Sequence, residues 1–413
     1  MNNNKLTRNI LLGLLLGAIL GLVLPIISQD VFNTLNQYIL DPAGTIFLRL
    51  IMMVVVPLVF FSLVVGISDL GSPKQLGRMG IQTVIFFLAT SAISLTIGII
   101  AAQIVQPGSP GLLGEGIAED YEVADSVPIM ETLVNIFPEN PIESMANMEM
   151  LQIITFALFV GLAMAMLGKK VETVKVFFTQ ANDIMMKIVT FVMAFAPIGA
   201  FALIASALGE AGWEAVGSLL SYFLTVAGVL VFHLFVVYGL IVYFLGKMSP
   251  VKFFKGFAPA MTMAFSLSSS NAVLPLSMKS AQENLGVSKQ VSGFVQPLGA
   301  TINMDGTGIM QAVATVFIAQ VYGVDLSLTQ MLIIVLTATL ASIGTAGVPG
   351  VGMIMLAMVL TSVGLPPDAI GLIIGIDRLL DMMRTAVNIT GDAALAVIVD
   401  RNEKKRGDIP ANS

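Results

Sequence analysis

Long apolar runs separated by short polar interruptions fill the first 245 residues. They lie near 10–27, 45–69, 81–105, 150–168, 176–207 and 216–245. A membrane-crossing helix takes about 20 predominantly apolar residues, so the pattern predicts six spans in this half. Beyond residue 256 the apolar stretches shorten and small polar residues break them. Residues 256–265 lead into Ser266-Leu267-Ser268-Ser269-Ser270-Asn271 and then Ala272-Val273-Leu274-Pro275. Residues 331–341 lead into Ser342-Ile343-Gly344-Thr345-Ala346-Gly347-Val348-Pro349-Gly350, and a second apolar arm continues to about 363. Each arm is too short to span a bilayer. Two half-length arms around a polar break predict a re-entrant helical hairpin. Non-helical backbone at membrane depth is tolerated only where protein buries it or it lines a wet cavity.

The basic residues give these segments a direction. Lys5 and Arg8 precede the first run, Lys74 and Arg78 follow the second, Lys169, Lys170 and Lys175 follow the fourth, and Lys247, Lys252 and Lys255 follow the sixth. The intervening segments 28–42, 106–149 and 208–215 carry no Lys or Arg, and the second of them holds nine acidic residues between Glu115 and Glu149. Lys and Arg concentrate in cytoplasmic loops. This predicts cytoplasmic termini, with Arg401, Lys404, Lys405 and Arg406 in the tail. Lys279 and Lys289 follow the first hairpin, which should open to the cytoplasm. Asp325 and Asp368 flank the second, which should dip from outside. Arg49 and Lys187 lie inside apolar runs and read as snorkelling side chains. The first run is too long for the apolar core of a signal peptide and has no small-residue cleavage site after it, so it reads as a span.

Composition agrees with a lipid environment. The chain has 413 residues, 56% hydrophobic and 11% charged, with mean hydropathy +0.91; soluble domains are about 25% charged. A net charge of −6 leaves no basic footprint for nucleic acid. Cysteine is absent, which excludes disulfides and thiolate chemistry. The single histidine, His233, sits in an apolar run with no nucleophile motif near it, and reads as a packed or hydrogen-bonded core residue.

Two motifs carry chemistry. A span over about 290–321 contains Asn303-Met304-Asp305-Gly306-Thr307. The Asn and Gly favour a kink, but a kink does not explain the carboxylate. An Asp at membrane depth costs about 3 kcal/mol or more unless paired, and a hard cation with oxygen ligands is a natural partner. In the last span Asp377, Asp381, Arg384, Asn388 and Asp392 are spaced 4, 3, 4 and 4. At about 3.6 residues per turn they share one helix face. One reading is an ion-pair ladder that only fixes the helix; the other is a binding site, because intramembrane ionisable residues mark substrate and ion pathways. Arginine offers a planar fork that matches a carboxylate. Paired interrupted segments likewise point to a transporter's binding site.

Ser268-Ser269-Ser270, Asn303-Met304-Asp305-Gly306-Thr307, the Gly344–Gly350 loop and the stretch from Asp381 through Met382-Met383-Arg384-Thr385-Ala386-Val387-Asn388-Ile389-Thr390-Gly391 to Asp392 resemble the dicarboxylate/amino acid:cation symporters, a family that includes the glutamate transporters of prokaryotic type. The resemblance covers nearly the whole chain. It implies an all-α polytopic fold with inverted repeats, eight transmembrane helices and two re-entrant hairpins, working as a homotrimeric elevator in a bacterial inner membrane, surrounded by lipid. It divides the chain into 1–70 (scaffold, spans one and two), 71–128 (transport domain, span three and the start of the acidic loop), 129–208 (scaffold, spans four and five) and 209–413 (transport domain). The last part holds span six, an inner hairpin near 250–284, span seven, an outer hairpin near 328–364, which acts as the gate, and span eight.

The same resemblance assigns roles. Arg384 would grip a side-chain carboxylate, helped by Thr307. Asp381 would take an α-ammonium, with carbonyls of Val348 and of the Leu267–Ser268 region. Asn388 and the Ser269–Ser270 region would hold an α-carboxylate, Thr385 would complete the pocket, and Gly352 would let the gate backbone approach. Three Na⁺ sites map as well: Asp392 with carbonyls of Gly299, Asn303 and Asn388; carbonyls of Thr301, Ser342, Ile343 and Thr345 beside Met304; and Asp305 with Asn303, Thr90, Ser91 and the Phe87 carbonyl. Subgroups of the family for neutral amino acids lack the arginine at 384, and those for C4-dicarboxylates lack the Asp at 381. Having both implies aspartate or glutamate as substrate. A second arginine common in the family is replaced by Leu267 and Met382, with Arg378 standing one turn before Asp381, and Phe87 replaces a common tyrosine. Sodium-coupled uptake of acidic amino acids is therefore the leading expectation. Proton coupling, or binding that does not need Na⁺, is its nearest rival. C4-dicarboxylate transport and a channel come next, and an intramembrane enzyme last, for want of a nucleophile–base pair.

Overall fold

A computed structural model describes residues 3–69, 73–110, 134, 137–342 and 350–406. The described residues form helices joined by short turns, with no strand among them. In chain order these are α1 (Asn3–Ile27), α2 (Gln29–Leu35), α3 (Asp41–Asp69), α4 (Pro73–Val105), α5 (Pro141–Ala146), α6 (Met150–Leu167), α7 (Glu172–Ala194), α8 (Ala196–Phe232), α9 (Tyr238–Ile241), α10 (Pro250–Leu267), α11 (Ser270–Leu285), α12 (Lys289–Ile302), α13 (Asp305–Val321), α14 (Leu328–Ser342), α15 (Val351–Ser362) and α16 (Ile374–Arg406). Among the described residues six stretches are long and apolar enough to cross a membrane: Arg8–Ile27, Gln29–Ser68, Met79–Val105, Gln152–Ala194, Val216–Gly246 and Ile374–Arg406. The chain is a multi-pass membrane protein.

The apolar run expected over 176–207 is not one helix. It breaks at Phe195, and α8 begins at Ala196-Pro197. Proline has no N–H to give to the preceding turn and restricts the residue before it. The expected interruption at 208–215 falls at Gly212, whose φ of 64° and ψ of −146° are non-helical, so α8 is two helices meeting at a kink there. The fourth run ends where the lysines predicted, in a 3₁₀ turn over Gly168–Val171 that opens on Gly168 at φ 55°.

Helices in lipid gain little from burying apolar surface against each other, so close backbone approach matters more. Gly13, Gly17 and Gly21 of α1 lie against Pro197, Phe201 and Ala205 of α8. A methyl group added at Gly17 or Gly21 would come within 2.5 Å of the Phe201 or Ala205 carbonyl oxygen. α4 packs along α13 and is pinned at its end by Gln320, which accepts from the Gly108 N–H (2.9 Å) and donates to the Ala102 carbonyl (3.2 Å).

The interruptions in the second half fall where the polar clusters stand. α10 ends at Ser268, whose φ of 50° is left-handed, and Ser269 caps α11 by accepting from the Ala272 N–H at 3.3 Å. At the far end of the pair Asn284 donates to the Gly256 carbonyl (2.8 Å). α12 stops at Ile302, Asn303 is extended, and α13 restarts at Asp305. α14 and α15 also pack together. The tip between them, with the site candidates Ile343, Thr345 and Val348, lies outside the described residues. α13, α15 and the middle of α16 are buried on every side. They form the centre of the molecule, and the candidate residues lie on their facing sides.

Candidate functional site

α16 presents its polar face to α13 and to the start of α15. Arg384 is 1% exposed and donates from Nη1 to Asp377 Oδ1 (2.5 Å) and from Nη2 to Asp377 Oδ2 (3.3 Å) and Asp381 Oδ1 (2.8 Å). Arg378 donates to the other Asp381 oxygen at 3.2 Å. Two carboxylates and two guanidinium groups thus balance in a buried cluster, which offsets the cost of taking each charge out of water. Arg384 Nε is buried and has no hydrogen-bond partner among the described residues. An unmade bond on a buried charged donor is costly, so this guanidinium has capacity for one more acceptor.

The surroundings of Arg384 bring several candidates together. Gly352 of α15 lies so close that a methyl group there would sit 3.2 Å from both Arg384 Nη2 and Thr307 Cγ2. Gly306 has no room for a side chain either; its methyl would meet the Arg384 carbonyl oxygen at 2.7 Å. Asn388, one turn after Arg384, accepts from the Gly306 N–H (2.7 Å), and its amide nitrogen faces Met304 Sδ (3.3 Å) and Thr307 Oγ1 (3.4 Å). Thr385 donates to the Asp381 carbonyl (2.8 Å). Ser268, Ser269 and Ser270 are buried and Leu267 half-buried at the α10–α11 tip, and both helices pack on α16. Ser268 Oγ has no partner among the described residues. A cavity of about 30 Å³ opens beside the cluster, lined by apolar side chains of α1, α3, α7 and α8 on one side and by Met353 and Ile354 on the other, with Asp377, Arg378 and Asp381 at its floor.

Two groups of oxygen-bearing residues lie further along α13 and α16. In the first, the Asn303 amide nitrogen donates to the Asn388 carbonyl (2.8 Å) and to Asp392 Oδ1 (2.9 Å). Both acceptors fix the amide's orientation and leave Asn303 Oδ1 buried without a partner among the described residues. Gly299 stands directly against the Asp392 carboxylate. A free, buried carbonyl oxygen on a side chain bonded to the Asp392 carboxylate suits a hard cation. In the second, Asp305 is wholly buried, with Oδ1 accepting from Ser91 (2.7 Å) and Oδ2 from Tyr238 (2.8 Å). Neighbouring Thr90 donates to the Phe87 carbonyl (3.1 Å). The third expected set rests on backbone carbonyls and includes Ile343 and Thr345, which lie outside the described residues; the Thr301 and Ser342 hydroxyls donate to carbonyls of their own helices, Leu298 and Thr339, at 2.9 and 2.7 Å.

Three contributors were not picked out by sequence. Asp377 was placed on the polar face, but not as the partner of Arg384. His233 was expected in the core, and it is there, with Nε2 3.4 Å from Asp305 Oδ2. Tyr238 carried no signal at all. Among residues outside the spans, burial raises the Glu210 carboxyl above its ordinary range, opposed by a hydrogen bond from Asn36 (2.8 Å) and reinforced by Asp41.

A sequence model of the sodium:dicarboxylate symporter family matches residues 6–402. The chain is 38% identical over 371 residues to the proton/sodium-glutamate symport protein of Geobacillus stearothermophilus, covering 88% of each. It is 37% identical over 377 residues to the proton/glutamate-aspartate symporter of Escherichia coli K12 (89% of this chain, 86% of the relative). It is 33% identical over 427 residues to human excitatory amino acid transporter 3 (90% and 81%).

Proposed function

The chain belongs to the sodium:dicarboxylate symporter family, and on that premise we propose that it takes up L-aspartate or L-glutamate together with Na⁺ as a secondary active symporter. It is a transporter and not an enzyme. The observation that carries the substrate assignment is Arg384 beside Asp381 in a buried cluster that also touches Gly352, Thr307 and Asn388. An acidic amino acid brings two carboxylates and one ammonium. Arg384 answers the side-chain carboxylate, with Thr307 beside it. Asp381 answers the ammonium, which a C4-dicarboxylate lacks. Asn388 and the serines at the α10–α11 tip answer the α-carboxylate, and Thr385 closes the remaining side. Stripping any of these ligand charges of water without a counter-charge costs several kcal/mol, so the pair selects both charge and position.

The cations of this reading are cargo. Asp392, Asn303, Gly299 and the Asn388 carbonyl form one site; Asp305, Ser91, Thr90, Asn303 and the Phe87 carbonyl form another; Thr301, Ser342, Met304, Ile343 and Thr345 form the third. Spans one, two, four and five make a trimeric scaffold, and the rest makes a transport domain that moves as an elevator, with both termini in the cytoplasm of a bacterial cell. The relatives' names support a second coupling ion, since one is a proton/sodium symport protein and another a proton symporter.

Purified protein in liposomes, given labelled L-aspartate under an inward Na⁺ gradient, a proton gradient or neither, tests the reading. Uptake that requires Na⁺ supports it. Uptake driven by protons and indifferent to Na⁺ keeps the substrate and replaces the coupling ion. No uptake of aspartate or glutamate under any gradient overturns it.

A further inference from the structure

Asp305 is a fully buried carboxylate at membrane depth, and among the described residues no Lys or Arg pairs with it. Its partners are hydroxyl groups. Ser91 Oγ donates to Oδ1 at 2.7 Å and Tyr238 Oη to Oδ2 at 2.8 Å, with the His233 ring edge 3.4 Å from Oδ2. An arginine would hold the carboxylate permanently. A neutral hydroxyl holds the carboxylate less firmly than a cationic side chain would, so it can release it to an arriving ion.

The backbone is shaped to bring Tyr238 there. Residues five apart on an α-helix diverge by about 140° at about 3.6 residues per turn. His233–Val237 is instead a π-turn, with the Tyr238 N–H bonded to the His233 carbonyl. The turn stacks residues five apart, so the His233 and Tyr238 rings meet at 4.7 Å between centroids, edge to face, over the same carboxylate. Such turns weaken the regular ladder and recur at functional sites. The Tyr238 hydroxyl also lies beside the Asn303 amide, since both close the space over Gly391. It therefore stands at the junction of the Asp305 and Asp392 groups.

We propose that Tyr238 is a positioning residue that competes with the cation for Asp305: its hydroxyl holds the carboxylate while no ion is bound, gives it up when one binds, and so sets how tightly that ion is held. This rests on the reading of Asp305 as a cation ligand. A hydrogen bond to a charged group in a buried site is stronger than one between neutral groups, and this one stabilises the ion-free state alone.

The test is Tyr238→Phe, which deletes one oxygen. Purified full-length protein is titrated with NaCl against a choline chloride background, without substrate, reading thermal unfolding. Labelled aspartate binding is read over the same Na⁺ series. The expected result is a variant less stable than wild type in choline and equal to it at saturating Na⁺, with half-saturating Na⁺ lowered about tenfold, the fold-change for about 1.4 kcal/mol. In an Asp305→Asn background the same substitution should leave half-saturating Na⁺ unchanged. Equal destabilisation at every Na⁺ concentration would reduce Tyr238 to a packing residue and overturn the proposal. A raised half-saturating Na⁺ would overturn it too, making the hydroxyl a ligand rather than a competitor. A wild type whose stability and aspartate binding ignore Na⁺ would remove the cation reading itself.

Discussion

Replacing Arg384 separates a structural ion-pair ladder from a substrate grip. In Arg384→Ala, Asp381 keeps Arg378, but both Asp377 oxygens lose the guanidinium that pairs them. Breaking one side of a buried pair costs about 3–5 kcal/mol because a charge is left uncompensated. Adding Asp377→Asn removes that charge, so the double variant should recover most of the lost thermal stability. Binding should not recover. A guanidinium gripping a substrate carboxylate through two charge-assisted bonds of about 1.5–3 kcal/mol each is worth about 10²–10⁴ in affinity. The assays are thermal unfolding in detergent and labelled aspartate binding and uptake for the two single variants and the double. Aspartate affinity that returns with stability in the double variant would refute the grip and leave Arg384 a structural residue; so would unchanged affinity in Arg384→Ala alone.

Other substitutions probe other parts. Gly352→Val should weaken aspartate binding by at least tenfold with little loss of fold, because its branched side chain must enter the space between Arg384 and Thr307; equilibrium binding of labelled aspartate reads it. Asp392→Asn should abolish the Na⁺ dependence of binding or raise half-saturating Na⁺ at least tenfold, read by titration without substrate. Gly17→Ala should cost about 1–3 kcal/mol through overpacking, seen as a lower unfolding temperature with unchanged aspartate affinity in the folded fraction. Glu210 has a folded-state pKa raised above its ordinary value, so the stability linked to it is present at acid pH and is lost as pH rises through the folded value. Glu210→Gln keeps an acceptor for Asn36 and should flatten that decline; the pH series of unfolding temperatures checks it.

What was legible in the sequence was whatever interrupts lipid-compatible helix. Ser268–Ser270 and Asn303 stood out because polar residues in an apolar run have few explanations, and the breaks lie there. The polar face from Asp377 to Asp392 followed from spacing alone. The break at Pro197 was passed over, since hydropathy does not register a missing N–H. The π-turn over His233–Val237 was invisible for a deeper reason: apart from His233 its residues are ordinary apolar ones, and only the displaced register gives Tyr238 a target. That target, Asp305, lies 67 positions away, beyond the reach of any local pattern. Asp377 was seen on the right face, but periodicity does not say which of two carboxylates an arginine chooses.

The glycine seam between α1 and α8 has a mechanical meaning. Carbonyl oxygens of one helix occupy the places where the other would carry methyl groups, so a slide of one residue, about 1.5 Å, drives Leu or Ile side chains into main chain. The joint is keyed, and α1 and the part of α8 before Gly212 must travel or stand still together. The surface where α15 and α16 meet α3 and α7 is faced instead with Met193, Met353 and Ile354 around a small void, and unbranched thioethers re-pack at little cost. If one body of this protein glides past another, the bearing is there and the keyed joint is the frame.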